Sequence, residues 1–243
     1  MDNLFEGYVG IRLWDGQVLN DLLFSLLIGL LFLFALAFRL HYRSFLKMVK
    51  DVFYTKERQS LFENGVASDH YFRQFMLFHA LVLCSLFAFS RLYINDLITF
   101  ELTSHSILLC LGGIFGIVAL FYFFKQIMYA ITANIFSDNN KYKLWKNSYL
   151  AIMGSWGILL YIPVIWSIFW GAYPVLPVIL FVLFYILCRF AIIYKTLRIF
   201  HKKNTGLLYI NLYLCAQEIL PLVFLYEGMV YLYNFIKTST LWH

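Results

Sequence analysis

Six long apolar runs separated by polar connectors organise this chain. They cover about residues 18–38, 72–90, 106–124, 149–170, 174–194 and 207–235. A bilayer core takes roughly 20 apolar residues per helix, and helices satisfy their own backbone polar groups inside lipid. The pattern predicts an all-α fold: a polytopic transmembrane helix bundle of six spans, forming a single transmembrane domain over residues 1–243. The first connector carries a second kind of periodicity. Phe45, Leu46, Val49, Val52 and Phe53 recur at helical spacing, while Arg43, Lys47, Lys50 and Asp51 fill the other face. This reads as an amphipathic cytoplasmic helix lying along the inner headgroups, or alternatively docked on a partner protein.

Charge then orients the spans. Of nineteen Lys and Arg residues, fifteen fall in the first, third and fifth connectors. They are Arg39, Arg43, Lys47, Lys50, Lys56, Arg58 and Arg73; Lys125, Lys141, Lys143 and Lys146; and Lys195, Arg198, Lys202 and Lys203. The opposite side holds Arg12, Arg91 and Lys237, and Arg189 lies inside an apolar run. The positive-inside rule makes the rich side cytoplasmic and places both termini outside. The opening Met1-Asp2-Asn3 lacks a basic signal-peptide region, in keeping with that orientation. Trp166, Trp170, Trp14 and Trp242 are expected near the outer boundary and Trp145 near the inner one.

Composition agrees. The 243 residues are 62% hydrophobic and 13% charged, which leaves no room for a separate soluble domain. The net charge of +6 is accounted for by topology, so the expected partners are the bilayer and its anionic cytoplasmic lipids, with no nucleic acid. Cys84, Cys110, Cys188 and Cys215 sit singly in different apolar runs and form no C-x-x-C pair, so they read as small packing residues.

Helix contacts are suggested by small residues. Gly112 and Gly116 have the G-x-x-x-G spacing that admits a neighbouring backbone, and Gly154 and Gly157 offer a second close-contact face. Pro163 should leave the carbonyl of Leu159 unbonded and bend the fourth span.

Ionisable groups within spans are costly and define the functional candidates. Glu218 lies near mid-bilayer in the sixth span, and Arg189 in the fifth can reach toward it. Asn211, Gln217 and Pro221 complete an intramembrane polar cluster, since Pro221 frees the carbonyl of Gln217. The cluster could lock helices together or bind a proton or cation, and the lock is favoured. His79 is a weaker candidate. A b-type haem needs a second axial histidine at similar depth, so His79 is expected to be a neutral, satisfied core residue. No H-E-x-x-H, G-x-S-x-G or phosphate-binding loop occurs. No catalytic residue, cofactor or metal site is expected.

The run Leu208-Tyr209-Ile210-Asn211-Leu212-Tyr213-Leu214-Cys215-Ala216-Gln217-Glu218-Ile219-Leu220-Pro221-Leu222 resembles the C-terminal signature of the bacterial integral membrane family named domain of unknown function 4271. The resemblance covers most of the chain, including the basic stretch after the first span and Arg189. It implies an inner-membrane protein of Gram-negative bacteria with no assigned activity. Where the family often carries a basic residue several positions after the proline, this chain has Glu227. Two functions are weighed: a non-enzymatic assembly or scaffold component that joins other envelope proteins, and a small proton- or ion-coupled transporter using Glu218.

Overall fold

Helix is the only regular secondary structure among the described residues of this computed structural model, which are 17–53, 66–94, 104–136, 139–170, 173–200, 223 and 227. Seven helices follow one another: α1 (Gln17–Leu40), α2 (Tyr42–Phe53), α3 (Val66–Ile94), α4 (Ser104–Phe136), α5 (Asn139–Leu159), α6 (Tyr161–Phe169) and α7 (Leu176–Phe200). Five stretches are long and apolar enough to cross a membrane: Leu19–Leu40, Asp69–Ile94, Ile107–Ile131, Tyr142–Phe169 and Leu176–Ile199. The sixth apolar run, 207–235, lies outside the described residues except for positions 223 and 227.

The centre of the fold is α3 packed along α5 and α6. The two run parallel, in register from end to end. The Arg73 guanidinium donates to the Asn147 carbonyl at 2.7 Å, and Ser90 Oγ lies 2.7 Å from Ser167 Oγ. Between these ends, a Cβ built on Gly154 would stand 3.0 Å from Met76 Cβ, and one on Gly157 only 2.7 Å from Ala80 Cβ. The missing side chains therefore set the distance between the helices, as the spacing of Gly154 and Gly157 predicts. Helix α7 runs back against this pair. Phe181 stacks on Phe87 at 4.3 Å, Trp156 meets Phe181 and Tyr185 edge-on, and Trp145 Nε1 donates to Thr196 Oγ1 at 2.9 Å.

Helices α1 and α4 are the outer members. Hydropathy does not distinguish the faces of α1, since it is apolar all round. Burial selects Leu19, Leu23, Leu27 and Leu30, a single stripe at helical spacing, and leaves Phe24, Ile28, Leu31 and Phe32 exposed. A helix apolar on every side suits a lipid surround. Helix α4 buries Ile107, Tyr122, Lys125 and Tyr129, with Tyr129 and Tyr122 tilted over Trp145 and Tyr149. The rest of its apolar length is largely exposed.

Pro163 has the effect its chemistry requires. Lacking an amide hydrogen, it cannot bond the Leu159 carbonyl, and the helix breaks at Leu160 between α5 and α6. Bonds from Leu160 to Trp156 and from Val164 to Leu160, each 3.1 Å, carry the chain across the break. Beyond α6, Tyr173 takes a left-handed backbone conformation (φ 58°) just before α7.

Burial adds detail to two sequence expectations. No described residue comes within 4 Å of a Cβ built on Gly112 or Gly116, so their spacing does not mark a helix contact among the described residues. Gly154 and Gly157, three residues apart, do meet a neighbour because their face is the one turned toward α3. Trp145 stands near the start of the Tyr142–Phe169 stretch with its ring turned into the bundle. It is 2% exposed and packed against Tyr129, Tyr142 and Tyr149.

Candidate functional site

Cationic connectors separated by long stretches of sequence are gathered at one end of the bundle, here called the basic end. Helix α2 is clamped there by polar contacts. Ser44 Oγ donates to Asp69 at 2.5 Å, and Lys47 Nζ pairs with the other oxygen of the same carboxylate at 2.8 Å. Asp51 pairs with Arg73, and its backbone carbonyl accepts a 2.8 Å bond from Lys195 Nζ. One turn of α2 thereby touches α3 and α7 together, while Arg73 adds α5 through Asn147. Met48, fully buried, seals the contact where its sulfur reaches within 3.1 Å of the Gly154 position.

The docked face of α2 is therefore Ser44, Lys47, Met48 and Asp51 rather than the apolar stripe read from periodicity. Phe45 and Val52 pack partly inward, while Tyr42, Leu46 and Phe53 stay exposed beside Arg43 and Lys50. Three charges expected in watery connectors are in fact buried: Arg73 at 5%, Lys125 at 1% and Lys195 at 2% exposed. The available signal was register. Lys195 follows Cys188 and Ile192 on the buried stripe of α7, and Lys125 lies between Tyr122 and Tyr129 on that of α4. Lys125 also stands 5.5 Å from the Phe121 ring, a cation–π contact. Charges held like this need partners, because an uncompensated ion away from water is strongly disfavoured.

A second polar clamp closes the opposite end. Arg91 Nε and Nη2 both donate to Ser167 Oγ, at 3.0 and 2.7 Å, and Nη1 donates to the Pro174 carbonyl at 2.6 Å. Ser90 Oγ also bonds Ser167. One guanidinium thus ties α3 to α6 and to the entry of α7.

His79 sits between these clamps. Ten residues beyond Asp69 at 1.5 Å rise place it about 15 Å into the α3 span. It is 1% exposed and ringed by Phe34, Phe75 and Tyr161, with centroids at 5.8, 6.1 and 5.4 Å. The sequence favours a satisfied histidine, but neither ring nitrogen finds a hydrogen-bond partner among the described residues. The Tyr161 hydroxyl facing the same region finds none either.

Arg189 lies on α7 with its guanidinium carbon 4.7 Å from the Tyr185 ring centroid. Glu218, Asn211, Gln217 and Pro221, the rest of the expected polar cluster, lie outside the described residues. Among the described residues no three His, Cys, Asp or Glu side chains gather as a metal-ion group. Ser44 stands beside the Asp69 carboxylate, which Lys47 also engages. Asp51 and Asp69 are both engaged by cations.

Long apolar helices, parallel and antiparallel in one bundle and pinned by polar contacts at both ends, define a multi-pass helical membrane protein. The chain belongs to the family described as Domain of unknown function (DUF4271), whose model matches residues 23–229. No curated protein and no solved structure matches it.

Proposed function

We propose that this chain is a non-enzymatic assembly component of the cell envelope, embedded in the bacterial cytoplasmic membrane and holding other membrane proteins through its outer helices. One observation carries the reading. Asp51, Asp69, Arg73, Arg91, Ser167 and Lys195 at the bundle ends are committed to clamps within the chain, whereas among the described residues nothing packs on the small-residue face of α4. Gly112, Gly113 and Gly116 are open, and the neighbouring Leu109 and Leu120 are 66% and 72% exposed. Such a face lets a partner helix approach backbone to backbone, where dispersion and weak backbone contacts drive association in lipid.

The exposed edge of α2 supports the sidedness. Tyr42, Leu46 and Phe53 alternate with Arg43 and Lys50 beside the end of α1 at Arg39 and Leu40. Apolar side chains interleaved with cations suit the acyl–headgroup boundary of an anionic leaflet. On this reading the basic end faces the cytosol, both termini lie in the periplasm, and the sixth run completes the bundle as a further span.

The test is purification in mild detergent after photo-crosslinking from an amino acid introduced at Gly116. A reproducible membrane-protein adduct at that position, absent when the crosslinker sits at buried Ile152, is the expected result. Recovery of uncrosslinked monomer alone from both positions would overturn the assembly role.

A further inference from the structure

We infer that His79 and Tyr161 form the polar anchor of a binding site for a neutral, lipid-soluble quinone. The observation is that His79 and Tyr161, whose ring centroids lie 5.4 Å apart, both carry buried polar atoms without a hydrogen-bond partner among the described residues. A buried donor or acceptor left unbonded is disfavoured, and lipid itself offers it no partner. A buried polar group held this way calls for a bonding partner.

The chemistry of the two groups defines the ligand. A neutral imidazole offers one N–H donor and one bare nitrogen, and a phenol donates and accepts. A quinone carbonyl can accept from both. The quinol hydroxyl can instead donate to the bare imidazole nitrogen while accepting from Tyr161, so one site holds either form. No electron transfer is assigned here, only binding. Among the described residues no charged side chain bonds either group, which favours an uncharged headgroup over a phosphate or carboxylate. Phe34 and Phe75 supply aromatic surface to a planar ring.

The fold also provides a way in. Tyr161 is the first residue of α6, a nine-residue helix set apart from α5 by the break at Leu160. Any opening between Tyr161 and His79 must work against the bonds that tie Ser167 of this helix to Ser90 and Arg91 of α3. The outer faces of α6 (Ile162, Ile165) and α1 (Leu31) are exposed, and an isoprenoid tail can lie along them.

The experiment uses the full chain in phosphatidylcholine nanodiscs, titrated with a decyl-substituted benzoquinone and read by tryptophan quenching, Trp156 and Trp166 each lying five residues from Tyr161. Saturable quenching is expected. Tyr161→Phe removes one oxygen and should weaken binding about tenfold, the effect of one hydrogen bond, with melting unchanged. His79→Leu should abolish saturation, and His70→Ala at the basic end should match wild type. Quenching that rises linearly with quinone in every protein reports partitioning alone and overturns the site. Equal affinity in Tyr161→Phe overturns it even if His79→Leu fails to fold.

Discussion

Replacing Gly157 with alanine tests the packing logic of the whole bundle. The new methyl would stand 2.7 Å from Ala80 Cβ and 3.1 Å from Ala80 Cα. Comfortable carbon contact needs about 3.5–4.0 Å, so the helices must part by roughly 1 Å at this level. Neither obstacle can rotate away, because one is backbone and the other a methyl fixed to it. Overpacking of this kind costs about 1–3 kcal/mol, against a gain of up to about 1 kcal/mol from the better helix propensity of alanine. The net expectation is a loss of about 1–2 kcal/mol. Gly116→Ala, with open space around it, should show only the gain. Adding Ala80→Gly to Gly157→Ala moves the methyl across the same gap and should recover most of the loss, a coupling that a double-mutant cycle measures. Thermal unfolding in a single detergent, followed by helical circular dichroism, reads wild type, Gly157→Ala, Ala80→Gly, their double variant and Gly116→Ala. A Gly157→Ala protein as stable as wild type would refute the claim that this contact sets the spacing of α3 and α5.

Four further outcomes are expected. Arg73→Ala should cost about 3–5 kcal/mol by stranding Asp51, and adding Asp51→Ala should cost less than the sum of the two single changes; strict additivity would show that the pair does not interact. Ser167→Ala removes the oxygen shared by Ser90 and Arg91 and should lower unfolding stability by about 1–3 kcal/mol, so an unchanged midpoint would count against the second clamp. Liposome ion flux should be the same for Glu218→Gln and wild type if the chain is an assembly component, whereas lost flux would favour the transport alternative. Reporter fusions should place a tag after Phe53 in the cytosol and one after His243 outside, and the reverse would overturn the orientation.

The transmembrane architecture was largely legible in the sequence because the bilayer imposes it directly. Apolar length, Pro163 and the sorted cations each act locally, and α1, α3, α4, α5–α6 and α7 fall where those signals place them. Contacts between helices were legible only in part. Gly112–Gly116 and Gly154–Gly157 look equally suited to packing, yet only the second pair meets a neighbour among the described residues. Spacing identifies a smooth face without saying what lies opposite. The same limit applies to α2, where the sequence showed an apolar stripe but not the opposite face that Met48 and the ion pairs of Lys47 and Asp51 dock on the bundle. Arg73 and Lys195 looked like connector charges because their partners come from helices distant in sequence. His79 was expected to be satisfied, and only its three-dimensional neighbours reveal otherwise.

The parallel pairing of α3 with α5 and α6 has a consequence for how the protein is made. Its polar bonds join positions 74 to 77 residues apart. At about 5–20 residues per second of synthesis, α3 waits roughly 4–15 s before its partner emerges from the ribosome. During that interval Ser90 and Arg91 lack the groups that later receive them and Arg73 has Asp51 but not the Asn147 carbonyl, in one of the two least hydrophobic of the five stretches. A nascent chain halted before residue 139 should therefore linger at the translocon or be removed by membrane proteases, and the fourth crossing is the step that commits the newborn protein to the bilayer.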